Sequence, residues 1–234
     1  MTGARPRSDR RRAQRAVLQR FYRRLSARFG PQRWWPADSP FEMMVGAILT
    51  QATNWQNVER AIDRLRREGA LRPRRLAVMP TARLARLIRP AGYFRQKTKR
   101  LRAFSRWYVR RYGASPRRMF RTPLGALRSE LLGLHGIGPE TADSMLLYAG
   151  GQPIFVVDAY TTRVLTRHRL IPPRATYAEI QAMVMDTLPA RAPLYNEFHA
   201  LLVAVGKRCC HRRNPDCADC PLDDLPHTRR DIAT

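Results

Sequence analysis

The stretch LLGLHGIGPETADSMLLYAGGQPIFVVDAYTTRV, residues 131–164, sets a Gly-x-Gly turn between two apolar segments and an acidic residue beyond the second. Leu134, Gly136, Ile137 and Gly138 read as a tight turn, because glycine lets the backbone take positive φ and approach a neighbour closely. Pro139 can open a helix there, since the first helical position needs no N–H. Backbone N–H groups and the positive end of the helix would suit a phosphate. Gly136, Ile137 and Gly138 are therefore candidate contacts to a phosphate backbone, which position a polyanion without reading its sequence. An ordinary connection between two helices has the same pattern.

Working outward, the chain reads as helical nearly throughout, so the expected fold class is all-α. FEMMVGAIL (41–49) is apolar almost all round, as a central buried helix should be. NVERAIDRLRREG (57–69), TARLARLI (81–88) and TKRLRAFSRWYVRRYG (98–113) alternate apolar stripes with arginines. In APLYNEFHALLVAVG (192–206), Leu194, Phe198, Leu201, Leu202 and Val205 share one helical face. The single extended-looking run, PIFVV (153–157), is too short and isolated to argue for a sheet.

The 234 residues carry 44 basic and 18 acidic side chains, a formal charge of +26. Such self-repulsion is relieved by a polyanion, which makes nucleic acid the leading partner; a general bias toward arginine would give the same excess. No apolar run approaches the roughly 18 residues of a membrane span. The basic N-terminal segment lacks the apolar core of a secretory signal, and Asp9 weakens a transit-peptide reading. A cytoplasmic, nucleoid-associated monomer is expected.

The residues around the turn carry a resemblance. LHGIGPETADSMLLYAGGQPIFVVDAYTTRV resembles the helix–hairpin–helix, Gly/Pro-rich loop and Asp signature (HhH-GPD) of the endonuclease III superfamily of DNA glycosylases, and the likeness spans roughly residues 30–225. Glu140 and Asp158 lie 18 positions apart, the family's spacing between its lyase position and its catalytic Asp. The resemblance implies that Asp158 stabilises an oxocarbenium-like sugar and can orient a water. Read alone, Asp158 is a helix N-cap. The AP-lyase branch has a lysine where this chain has Glu140. A carboxylate cannot form an imine, so the resemblance implies a monofunctional enzyme that removes a base and leaves the strand intact. On its own terms Glu140 complements a helix N-terminus.

A second block, RWWPADSPFEMMVGAILTQATNWQN, resembles the opening of endonuclease III-related proteins and of 3-methyladenine DNA glycosylase III. That likeness makes Trp34, Trp35 and Trp55 candidates for the base pocket, with Trp34 and Trp55 at the stacking positions of the alkyl-base branch. Core packing is their alternative role. An everted base needs aromatic faces, and a cationic alkylated purine adds cation–π attraction of up to about 2 kcal/mol. Gln51 matches the residue that fills the hole left by the extruded base, and Tyr93, in AGYFRQKTKRL (91–101), matches the wedge. Lys97, Lys99 and Arg100 are candidate phosphate contacts, or simply a solvated basic face. The implied substrate is a damaged base in double-stranded DNA, preferably an alkylated purine such as 3-methyladenine. The alternatives are an oxidised or mismatched pyrimidine, or lesion binding without catalysis.

All four cysteines fall within residues 209–220, a spacing that reads as a metal site rather than a secreted disulfide framework. Cys210, Cys217 and Cys220 give C-x6-C-x2-C, the first three positions of the family's 4Fe-4S loop. Pro226 stands where the fourth cysteine is expected, and Cys209, His211 or His227 could take its place. A zinc ion in the same donors, or no metal at all, are the alternatives. The implied architecture is two helical domains flanking a DNA-binding cleft. Residues 1–38 supply an N-terminal helix and 39–154 a six-helix barrel ending in the hairpin. Residues 155–208 complete the terminal domain with Asp158, and 209–234 form the cysteine loop and tail.

Overall fold

The computed structural model describes residues 7–228, and every regular element among them is helical, as the sequence implies. In chain order these are α1 (Arg7–Phe29), α2 (Pro40–Leu49), α3 (Trp55–Arg67), α4 (Pro73–Val78), α5 (Thr81–Leu87), α6 (Phe94–Tyr112), α7 (Pro116–Met119), α8 (Leu124–Leu132), α9 (Pro139–Ser144), α10 (Ala159–Arg167), α11 (Tyr177–Thr187) and α12 (Ala192–Arg208). A 3-10 turn, Arg89–Ala91, precedes α6, and a π turn, Met145–Ala149, continues α9. The run 153–157 is irregular but buried, with Ile154, Phe155, Val156 and Val157 all in the core. The residues before Trp35 group with those after Gln152, and Trp35–Gln152 form the second unit.

In the unit Trp35–Gln152, α2 starts where the Ser39 side chain accepts the Glu42 N–H at 3.1 Å and Pro40 fixes the first helical φ. Every residue from Phe41 to Leu49 is buried, which its all-round apolar sequence requires. Phe41 stacks on Phe104 and Tyr108 of α6, with interplanar angles of 12° and 8°. Helix α6 begins at Phe94, four residues before the periodic stretch read from the sequence, and ends at Gly113 in the left-handed conformation.

In the other unit, α12 is the central element, with Tyr195, Phe198, Leu201, Leu202 and Val205 fully buried. Helix α10 lies close against it: a Cβ at Gly206 would come within 2.6 Å of the Tyr160 ring, so glycine sets that approach. Arg163 on α10 donates to the Gly206 and Cys210 carbonyls at 2.9 and 2.7 Å, covering the C-terminal end of α12. The helix that follows Asp158 is thereby bonded to the start of the cysteine loop.

Candidate functional site

The hairpin is built as a rigid turn. Gly136 takes φ +79°, and a Cβ there would collide with the Arg100 side chain, so both conformation and space demand glycine. Ile137 donates its N–H to the Leu134 carbonyl at 3.0 Å and buries its side chain, while Gly138 stays exposed and Pro139 opens α9. Glu140 is exposed in the first turn of that helix. Beneath the turn, the fully buried carboxylate of Asp143 accepts two bonds from Arg128, at 2.7 and 3.1 Å, clamping α9 to α8.

Gln51 belongs to this construction. Its amide donates to the Gly136 carbonyl at 3.0 Å and to the Thr141 hydroxyl at 2.9 Å, and its oxygen accepts from Arg100. Tyr93 is 68% exposed with φ 42°, a strained left-handed conformation for a bulky residue; Ala52, beside Gln51, has φ 50°. The reading of Lys97 as a phosphate contact is corrected here. Lys97 is 1% exposed, and its ammonium donates to the carbonyls of Leu49 (2.8 Å), where α2 runs into the segment of Gln51, and Ala91 (2.7 Å), where the 3-10 turn runs into that of Tyr93. It ties them together from inside. Of the three basic side chains only Lys99 is exposed.

Trp35 meets Trp55 edge-to-face at 5.1 Å and the Tyr148 ring at 5.5 Å. Gly46 packs under this cluster, its Cβ position in ordinary contact range of the Trp35 indole. Trp35 and Trp55 line a cavity of about 740 Å³ whose wall carries Asp38, Glu42, Glu59 and Asp63 against Arg60 and Arg66. Arg66 is already held by Glu42 at 2.7 Å, Asp63 at 2.8 Å and Asp38 at 3.2 Å. The hollow is therefore net acidic in a chain of charge +26. Trp34 belongs to the other unit, where the Lys207 ammonium stands 5.9 Å from its ring centroid. The π turn brings in Tyr148, which the sequence reading did not single out.

Asp158 caps α10: its Oδ1 accepts the Thr161 N–H at 2.7 Å. Its other oxygen, Oδ2, lies 3.7 Å from His199 Nε2 of α12, and the carboxylate keeps 15% exposure. Burial pushes the His199 pKa down, against the opposing pull of the Asp158 charge, so the imidazole is neutral at physiological pH. His199, within an apolar helix, was not anticipated from the sequence.

Cys209, Cys210, Cys217 and Cys220 line one small cavity together with His168, Asp223 and His227. Burial raises the Cys220 thiol to about 12. Arg167, 2% exposed, donates to the Cys210 sulfur at 3.1 Å and to the His211 and Arg212 carbonyls. Cysteine sulfurs and an imidazole are a donor set that fits a 4Fe-4S cluster or a tetrahedral zinc ion, and the buried guanidinium would offset the negative charge of such a site.

No helix among the described residues is long and apolar enough to cross a membrane. A sequence model of the HhH-GPD superfamily of base excision DNA repair proteins matches residues 45–190. A candidate DNA repair glycosylase of Methanocaldococcus jannaschii is 41% identical over 89% of this chain and 95% of its own length. Endonuclease III of Thermotoga maritima is 31% identical over 78% and 80% of the two chains. Among solved structures, the 3-methyladenine DNA glycosylase of Helicobacter pylori bound to 1,N6-ethenoadenine superposes with a TM-score of 0.70 at 26% identity, covering 83% of this chain and 97% of that one. An endonuclease III–DNA complex gives 0.78 at 22% identity, over 91% and 94%.

Proposed function

The chain belongs to the HhH-GPD superfamily of base excision DNA repair proteins and is a DNA glycosylase of that family, and from this premise we propose that it is monofunctional and prefers alkylated purines. The observation that carries the substrate preference is the net-acidic cavity walled by Trp35 and Trp55. Electron-rich indole faces and surplus carboxylates attract a cationic base and gain less from a neutral one. The relative solved with 1,N6-ethenoadenine supports a modified purine as the ligand class. Trp34 is proposed as a further stacking ring, and Tyr93 as the wedge that replaces the everted base in the stack. Gln51 is proposed to reach the vacated space, after giving up its bonds to the hairpin.

In the proposed reaction the C1′–N bond breaks and its electron pair stays with the base. An alkylated purine leaves as a neutral molecule, so little acid catalysis is needed. Asp158 faces the developing positive charge on the sugar with Oδ2, while its bond to Thr161 fixes the carboxylate plane. Water then adds at C1′ and gives up a proton, leaving an abasic site. With Glu140 at the position where the lyase branch has its amine, no imine forms and the strand stays whole. Gly136, Ile137 and Gly138 are proposed to hold the phosphate backbone. Cys210, Cys217 and Cys220 are proposed to carry a 4Fe-4S cluster, which when bound would order the basic loop; no step of the chemistry passes through it.

The test is a panel of duplexes, each with one alkylated purine, oxidised pyrimidine or mismatched thymine, scored for released base and for strand breaks before and after alkali. Release of alkylated purine, with breaks only after alkali, is the expected result. Preference for a pyrimidine lesion, or breaks without alkali, would overturn the corresponding half of the proposal.

A further inference from the structure

The cysteine loop lacks its fourth thiol, since Pro226 stands in that position. We infer that His227 supplies the missing ligand, making a three-cysteine, one-histidine site with Cys210, Cys217 and Cys220. The inference rests on the cluster reading above and goes beyond it by naming the ligand.

Of the three residues that could complete the set, His211 is exposed and does not line the cavity. Cys209 lines it, but its thiol is directed to the Asp219 carbonyl at 3.6 Å. His227 is the one whose chemistry is already arranged for a cation. Its Nδ1 sits 2.8 Å from the Leu225 carbonyl, so Nδ1 carries the proton and donates. The carbonyl orients the ring so that Nε2 faces the other side, the pattern by which a backbone carbonyl positions a metal-binding imidazole. Nε2 is buried and makes no hydrogen bond. It points at Asp223 Oδ1, 3.3 Å away, and the Cys217 sulfur, Asp223 carboxylate and His227 nitrogen lie within 4.8 Å of one another. An imidazole nitrogen, a carboxylate and a sulfur this close together can share one cation.

Arg167 argues the same way from the opposite side. Among the described residues no carboxylate pairs with this buried guanidinium, and its partners are carbonyl oxygens and the Cys210 sulfur. A buried cation needs an anion nearby, and the net negative charge of a thiolate-bound cluster would provide one. Asp223 and His168 are the remaining rivals in the cavity: the Asp223 side chain is 34% exposed against 11% for His227, so it is better placed to face solvent, and the His168 ring is packed edge-on against Phe21 at 4.8 Å.

The experiment uses the full chain, purified anaerobically from iron-supplemented cells, with iron, acid-labile sulfide and zinc measured. The reduced protein, carrying isotopically labelled histidine, is then examined by electron–nuclear double resonance. The expected result is a nitrogen coupling in the wild type that disappears in His227→Cys, while that variant keeps its iron and sulfide. His227→Ala is expected to lose iron about tenfold faster to a chelator, and His211→Ala and Cys209→Ser to behave as wild type. Iron and sulfide present without nitrogen coupling, or lost on Asp223→Asn or Cys209→Ser rather than on His227→Ala, overturns the ligand assignment alone. Zinc in place of iron, or no metal, overturns the cluster reading itself.

Discussion

His199 Nε2 lies 3.7 Å from Oδ2 of Asp158, while the other carboxylate oxygen accepts the Thr161 N–H at 2.7 Å. One oxygen is thus committed to the helix and the second faces a neutral imidazole, because burial pushes the His199 pKa down. The cap and the proposed catalytic charge are therefore the same group. Capping leaves the second oxygen open to the proposed catalytic role.

Asp158→Asn separates the two. Asparagine is as good an N-cap as aspartate, so the melting temperature should change little, whereas Asp158→Ala should cost about 1 kcal/mol. Base release by Asp158→Asn should fall about a hundredfold or more with binding to lesion DNA retained. Undiminished turnover in a single-turnover assay would move the chemistry to another residue.

Glu140 stands exposed in the first turn of α9, and is proposed to occupy the position of the lyase amine. Wild-type protein should give no covalent adduct with abasic DNA under borohydride. Glu140→Lys should give one, and should lose about 0.3–1 kcal/mol because a cation replaces an acid at the helix N-terminus. An adduct with the wild type is the result that defeats the monofunctional reading.

The hairpin's rigidity rests on Arg128 and Asp143, a bidentate pair with the carboxylate wholly buried. Asp143→Asn takes the bidentate carboxylate from the partly exposed Arg128 guanidinium, so it should destabilise the protein by about 3 kcal/mol, the low end for such pairs. Arg128→Met combined with Asp143→Leu should recover much of that loss in a double-mutant cycle read by urea unfolding. Additive single effects would show that the two side chains act independently.

Much of this molecule could be read before its structure. Helices α2, α3, α5 and α12 announce themselves by apolar period and by Pro or Gly at their ends, α10 by Asp158 as its cap, and the hairpin by Gly136 and Pro139. What stayed hidden depends on contacts distant along the chain. Tyr148 joins Trp35 across more than a hundred residues, and His199 looks like any polar residue in an apolar helix until Asp158 is placed beside it. Lys97 misled for a physical reason: lysine defaults to the surface, and only the convergence of two carbonyls from separate segments makes its burial tolerable. The start of α6 was missed because Phe94 to Lys97 lack an apolar stripe.

Lys97 leads to a prediction with a defined pH window. Burial, reinforced by the neighbouring charge of Arg100, lowers its pKa from 10.5 to about 8. Below pH 8 the folded and unfolded chains both hold the proton, and this group adds no slope to stability. Between about pH 8 and 10.5 the unfolded chain binds a proton that the folded chain has released, so stability rises with pH, by at most about 1.4 kcal/mol per unit. Lys97→Met removes the titration and leaves the Leu49 and Ala91 carbonyls without their donor. It should be less stable than wild type at every pH, with a gap that is constant below pH 8 and widens above it. Because those carbonyls anchor the loops bearing Gln51 and Tyr93, base release should also slow, while binding to an already abasic duplex changes less. A gap that stays constant from pH 7 to 10.5 in chemical denaturation would show that the ammonium is not confined between the two loops.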